Sequence, residues 1–190
     1  MALPGLQTPA YRMCCCRNSI ISGGIRNSLF VFCLTATLTL GSIGAVFAQE
    51  VLIEKQISLG LAHDAAMAAI EQARKDGYRV SVIVVNRAGQ VIAQLRDDGA
   101  SPHTAQTSWR KAYTALIFRA GTIEMAQRIA NNPGIANLRE ITDVTTLGGG
   151  LPIRAGNEVI GAIGVGGAPG GDKDDVCAHA GIDKISAKLK

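Results

Sequence analysis

The sequence predicts an α/β domain of the α+β type, an antiparallel sheet with helices packed on it, and three observations carry that prediction. Val80, Val82, Ile83, Val84 and Val85 form a near-continuous β-branched run, and a polar turn then leads to a second apolar run, Val91 to Leu95. A second hairpin sets Leu151 to Arg154 against Val159, Ile160, Ala162, Ile163 and Val165, with Gly156-Asn157 supplying the φ > 0 residues of a tight turn. The third is order: helix, hairpin, helices, hairpin, helix is the pattern of an antiparallel sheet covered by helices.

Each element has a local cause. Ser58 can cap a helix that runs to about Asp76, an alanine-rich segment with Gly77 placed to end it. Asn86-Arg87-Ala88-Gly89 turns the chain between the first two strands, and the loop from Arg96 to His103 is polar. A helix follows from about Ala105 to Arg119, and another over Thr122 to Ala130, where Asn131-Asn132-Pro133-Gly134 stops it. Ile135 to Asp143 carries no clear assignment, and a final helix is expected near Asp174 to Leu189. In the last strand, Gly161, Gly164, Gly166 and Gly167 leave one side almost without side chains. Another backbone, a neighbouring subunit or a flat ligand can then approach closely.

The first 48 residues read differently. Residues 1 to 28 hold Arg12, Arg17 and Arg26 and no acid, Leu29 to Ala45 is apolar, and Val46-Phe47-Ala48 suits signal peptidase. The expectation is a secretory signal cleaved before Gln49, with export to the periplasm or medium. An apolar core of about 17 residues is short for a stable membrane anchor. Cys14, Cys15, Cys16 and Cys33 leave with the signal, so the mature chain, residues 49 to 190, keeps Cys177 alone and has no internal disulfide. Of the 19 basic residues 16 remain against 15 acidic ones, a net charge of +1 that gives no electrostatic case for nucleic acid. The remaining length suits one domain.

Several separated motifs together resemble one family. They are Val82 to Asn86, Arg96-Asp97-Asp98-Gly99-Ala100, Ser108 with Lys111-Ala112-Tyr113-Thr114-Ala115, Gly148-Gly149-Gly150-Leu151-Pro152-Ile153, Val159 to Val165, and Asp174-Asp175-Val176-Cys177-Ala178-His179-Ala180-Gly181. In this order they span the mature chain and resemble the GlcG/HbpS haem-binding family, including the PduO-type C-terminal domain. The resemblance implies a profilin-like fold with a sheet of about five strands, assembly into homo-oligomers, and for some members export with sequestration or slow degradation of haem. The chain departs from the pattern at Asn86, where aspartate is frequent, and at Asp97, where methionine is common.

Haem needs a flat apolar slot, an axial ligand and often a basic group for its propionates. His63, with Met67 and Ile70 further along its helix, and His103, after Pro102 in a loop, are the candidate iron ligands; the default reading of His63 is a helix-surface histidine and of His103 a solvated or helix-capping one. His179 is explained by an ion pair with Asp175 one turn away. Arg96, Arg110 and Lys111 could meet propionates, Trp109 could stack on the porphyrin or pack in the core, and Gly149 and Gly150 could present backbone amides. Cys177 reads as a small buried residue, Asp97-Asp98 as part of a turn, and Asp172, Asp174 and Asp175 as a helix-starting acidic group or a hard-cation site. The Gly164 to Gly171 run lacks the Lys-Ser/Thr ending of a phosphate loop. The expected ligand is haem. The alternative is a small organic acid held by Arg96 or Lys111 and the amides around Gly148 to Gly150.

Overall fold

Helix α1 (Leu59–Lys75) starts where Ser58 turns extended and its side-chain oxygen accepts from Leu61 N–H at 3.4 Å. It stops at Gly77, whose φ of +81° is the left-handed conformation that ends helices. The computed structural model describes residues 52–190, so the expected signal segment and its cleavage before Gln49 lie outside the described residues. No helix among the described residues is long and apolar enough to cross a membrane.

Strands β1 (Ser81–Asn86) and β2 (Val91–Arg96) form the first hairpin, and β3 (Gly150–Ala155) and β4 (Glu158–Gly166) the second. Asn86 shapes the first turn by accepting from Ala88 N–H and Gln90 N–H, both at 3.0 Å. In the second turn only Gly156 takes a positive φ, +60°; Asn157, expected to share that role, does not. The two hairpins join through an antiparallel β1–β4 ladder, Ser81 opposite Gly166 and Asn86 opposite Gly161. The sheet order is β2-β1-β4-β3. Four strands are therefore found among the described residues where about five were expected. The segment ahead of α1 is irregular and touches the sheet through Ile57 N–H, which donates to Ile160 O at 3.1 Å.

Because side chains alternate along β1, its two faces build two cores. Val80, Val82 and Val84 pack with Ala62, Ala65, Ala66 and Ala69 of α1 and with Cys177, Ala178 and Ile185 of α4 (Gly171–Ile185). Ile83 and Val85 face the other way, against Ala112, Ala115 and Leu116 of α2 (Thr104–Phe118). Helix α3 (Thr122–Asn131) and a short 3-10 stretch (Pro133–Glu140), which occupies most of the unassigned segment, form a small satellite around Met125 and Ile129. Helix α4 begins three residues before the expected Asp174, and it ends at Ile185, followed by a 3-10 turn, Ser186–Lys188.

The glycines of β4 have their partner inside the chain. A Cβ on Gly164 would stand 2.6 Å from Ala112 N and nearer still to Ser108 O, so α2 lies directly on the strand backbone. The four glycines expected on one side divide in the structure: Gly164 and Gly166 lie against α2, whereas Gly161 opens onto Ile57 on the α1 side and Gly167 onto the backbone of Arg79 and Val80. The glycine strand is buried, and it offers no face for a second copy.

Candidate functional site

Helix α2 passes along the sheet with a cleft at each end. The N-terminal cleft has about 300 Å³ and is walled by Ser101, His103, Thr104 and Thr107 on one side, the Gly167-to-Gly171 loop on the other, and Leu147, Lys111 and Asp174. Thr104, in its wall, is tied to the sheet by buried hydroxyls: Ser81 Oγ and Thr104 Oγ1 lie 2.7 Å apart, and Ser108 Oγ donates to Ser81 O at 2.8 Å. His103 stands at the N-cap of α2 but makes no side-chain capping bond, so its imidazole is free of that duty.

Lys111 is buried, 2 % exposed, and its ammonium donates to Asp174 Oδ2 at 2.6 Å and Val165 O at 2.8 Å. Asp174 Oδ1 in turn accepts from Ala168 N–H at 2.9 Å. The pair therefore ties α2, on one face, to α4, on the other, around the end of β4. Burial pushes the Asp174 carboxyl up against the opposing charge of Lys111. Gly149 and Gly150 make room for this pair: a Cβ on Gly149 would meet Asp174 Cβ at 2.5 Å and Lys111 Nζ at 3.2 Å, and one on Gly150 would strike Lys111 O. Gly148 and Gly171 likewise pack backbone to backbone. Gly149 and Gly150 are spacers, and the Gly150 N–H is already given to Thr122 Oγ1 at 3.0 Å.

The other expected site residues are scattered. His63 is on α1, across the sheet from α2, with its side chain 58 % exposed and 4.0 Å from Asp64; Ile70 turns into the core while His63 turns outward, so the imidazole has no apolar bed. Arg96 donates through Nε and Nη2 to Ala100 O, at 3.0 and 2.5 Å, and so closes its own loop. Arg110 donates to Val144 O at 3.1 Å. Trp109 stacks on Tyr113, ring centroids 5.3 Å apart, and packs against the α2 core. His179 pairs with Asp175 at 3.5 Å as its spacing predicts. Cys177 is buried, which pushes its thiol up to about 11 and keeps it from acting as a thiolate. The structure thus brings together His103 and Lys111, beside Gly149 and Gly150, but separates them from His63.

Two features go beyond what the sequence suggests. Asp97 is not merely a turn residue: its side chain is 2 % exposed, and it accepts from Arg74 Nε and Nη2 at 3.0 and 2.6 Å, with Arg79 Nη1 at 3.6 Å. The Arg74 hydrogen bonds hold its carboxyl below the usual range despite burial. The second is the C-terminal cleft of α2, about 500 Å³, lined by Tyr113, Leu116, Ile117, Val159 and three arginines, Arg87, Arg119 and Arg154. Arginines dispersed over three segments leave no local pattern. Lys111 does leave one, because Ser108, Lys111, Ala112 and Ala115 follow the buried stripe of a helix, where a cation demands a buried acid.

Comparison with known proteins agrees with this fold. The family described as haem degrading protein HbpS-like matches residues 57–183. Crystal structures similar to this chain include HbpS, at 40 % identity and a TM-score of 0.68 over 77 % of this chain and 99 % of that one. A double variant of Streptomyces reticuli HbpS gives 41 % and 0.67, over 73 % and 93 %. A PduOC:heme complex is similar at 25 % identity and a TM-score of 0.62, over 68 % and 95 %. Protein GlcG of Escherichia coli strain K12 is 33 % identical over 95 residues, 50 % of this chain and 69 % of GlcG. With the glycine spacers under α2 and a family match over most of the described fold, the chain belongs to the HbpS-like family, with GlcG and PduOC among its relatives.

Proposed function

We propose that this is an exported haem-binding protein and that haem lodges in the N-terminal cleft of α2 with His103 as the iron ligand. The observation that carries the reading is the place of His103. It walls a cleft with an imidazole free of any capping bond, whereas His63 and His179 stand on exposed helix faces beside their own acids, Asp64 and Asp175. Support from outside the chain is the family match and the haem complex of the similar PduOC.

The cleft is too small to enclose a porphyrin. It takes one edge, with Leu147 as apolar wall, and leaves the other edge open to solvent or to a second copy. A homo-oligomer in which a neighbour covers the exposed edge is part of the proposal. Lys111 serves the fold and cannot leave Asp174 for a propionate without stranding a buried carboxylate. Arg96 and Trp109, which the sequence offers as slot residues, have their own partners in Ala100 O and the Tyr113 ring. What His103 supplies is an iron ligand; haem supplies the redox centre, and sequestration and slow degradation are the two fates the reading allows. Of the donors that the organic-acid alternative would use, Lys111 is given to Asp174, Arg96 to Ala100 O and the Gly150 N–H to Thr122.

The test is a haem titration followed by absorbance, with His103→Ala, His63→Ala and His179→Ala in parallel. A saturable Soret shift removed by the His103 change alone establishes the site. A shift removed only by the His63 change moves haem to α1, and no saturable shift in the parent protein ends the reading. Fractionating cells that make the full chain, and sequencing the N-terminus of the exported product, tests export and the expected start at Gln49.

A further inference from the structure

We propose that the C-terminal cleft of α2 is a second small-molecule site, which takes a carboxylate carried on a flat apolar body of one or two fused rings. The charge around it is unbalanced in a specific way. Glu158 is the acid in its lining, and it is matched by Arg87 Nη1 at 3.5 Å, while Arg87 Nε also meets Glu54 at 3.4 Å. Arg119 and Arg154 also line the cleft and have no carboxylate partner among the described residues. Arg154 is nevertheless positioned: its Nη2 donates to Arg119 O at 2.6 Å, which holds the guanidinium at the end of α2 and leaves other N–H donors to give. A carboxylate is the group that guanidinium forks lining one cleft match, through charge-assisted hydrogen bonds.

The body of the ligand is specified by the walls. Tyr113, Leu116 and Val159 provide apolar surface, and the Tyr113 ring is held by stacking. Trp109 stacks on it with planes 16° apart, and the first hairpin turn lies close by: a Cβ built on Gly89 would stand 3.6 Å from the ring, an ordinary contact distance. An immobilised ring beside paired cations favours a flat aromatic acid over an aliphatic one. The volume, about 500 Å³, is in the range of ordinary ligand sites. His103 and Arg119 are separated by the length of α2, about 24 Å at 1.5 Å per residue, so this site stands or falls independently of haem.

The experiment is amide chemical-shift mapping of the 15N-labelled protein with 2-naphthoate, with uncharged 2-naphthalenemethanol and with inorganic phosphate as separate probes. Naphthoate is expected to move the amides of Gly89, Arg119 and Asn157 saturably. The alcohol and phosphate, each lacking half of the recognition, are expected to bind at least about tenfold more weakly. Arg119→Gln with Arg154→Gln is expected to weaken naphthoate by at least about tenfold, in a protein whose spectrum away from the cleft is unchanged. The proposal is overturned by equal binding of the alcohol, by shifts that map elsewhere, or by naphthoate binding that survives the double change. A failed haem titration leaves each of these results intact.

Discussion

The two ends of α2 differ in what becomes of their cations. At the N-terminal end Lys111 is buried with an acid 63 residues away, and its charge is consumed in joining α2 to α4. At the C-terminal end Arg119 and Arg154 meet no carboxylate among the described residues and remain available to a ligand. A basic residue near a cleft therefore says little about ligand charge until its own counter-ion is known. Burial forces a cation to bring an anion with it, whereas a half-solvated guanidinium has no such obligation.

The contrast can be broken most severely at the point both ends depend on, the seat of α2 on β4. Gly164→Leu is expected to lose more than about 4 kcal/mol or the native fold altogether, because the new side chain enters the α2 backbone. Thermal unfolding would show it, and a near-native melting temperature would mean that α2 does not lie on the strand as described.

A smaller effect separates the ends. Asp174→Ala leaves Lys111 buried without its acid and is expected to cost about 3 to 5 kcal/mol in urea unfolding, while joint replacement, Lys111→Met with Asp174→Leu, recovers most of it. Equal losses in single and double variants would give the pair a role beyond mutual neutralisation. At the other end, Arg154→Gln is expected to stay within about 0.5 kcal/mol of the parent. A larger loss would show that its bond to Arg119 O is structural and that this cation, like Lys111, is spent on the fold.

Asp97 offers a third test of how a counter-ion is held. Its folded-state carboxyl lies below the unfolded value of about 3.9, so its contribution is present above that pH and is lost as pH falls through the folded value. Arg74 is half exposed, which screens the pair and keeps the effect modest. Acid unfolding of the parent should therefore show a limb below about pH 4 that Asp97→Asn flattens. An unchanged limb would place the acid sensitivity in other carboxylates.

What is legible in the sequence follows from distance along the chain. Ser58, Gly77, Gly89 and Gly156 act within a few residues, so the ends of α1 and both hairpin turns can be read from local chemistry. Lys111 reads as a cation, and its periodic place on a buried stripe hints at a partner, but Asp174 reads only as a helix-starting acid or a cation ligand. Asp97 reads as a turn residue because Arg74, 23 positions earlier on another element, gives no local sign.

The sequence by itself determined the four α-helices, the antiparallel sense of the two hairpins and the close approach that the β4 glycines require. These follow from backbone sterics and hydrophobic periodicity, which act within a segment. Tertiary structure alone decided that α2 is what lies on Gly164 and Gly166, that His103 and His63 lie on different sides of the sheet, and that Lys111 is spent while Arg154 is not. Those outcomes depend on which charges and surfaces are buried together, and burial is a property of the assembled layers.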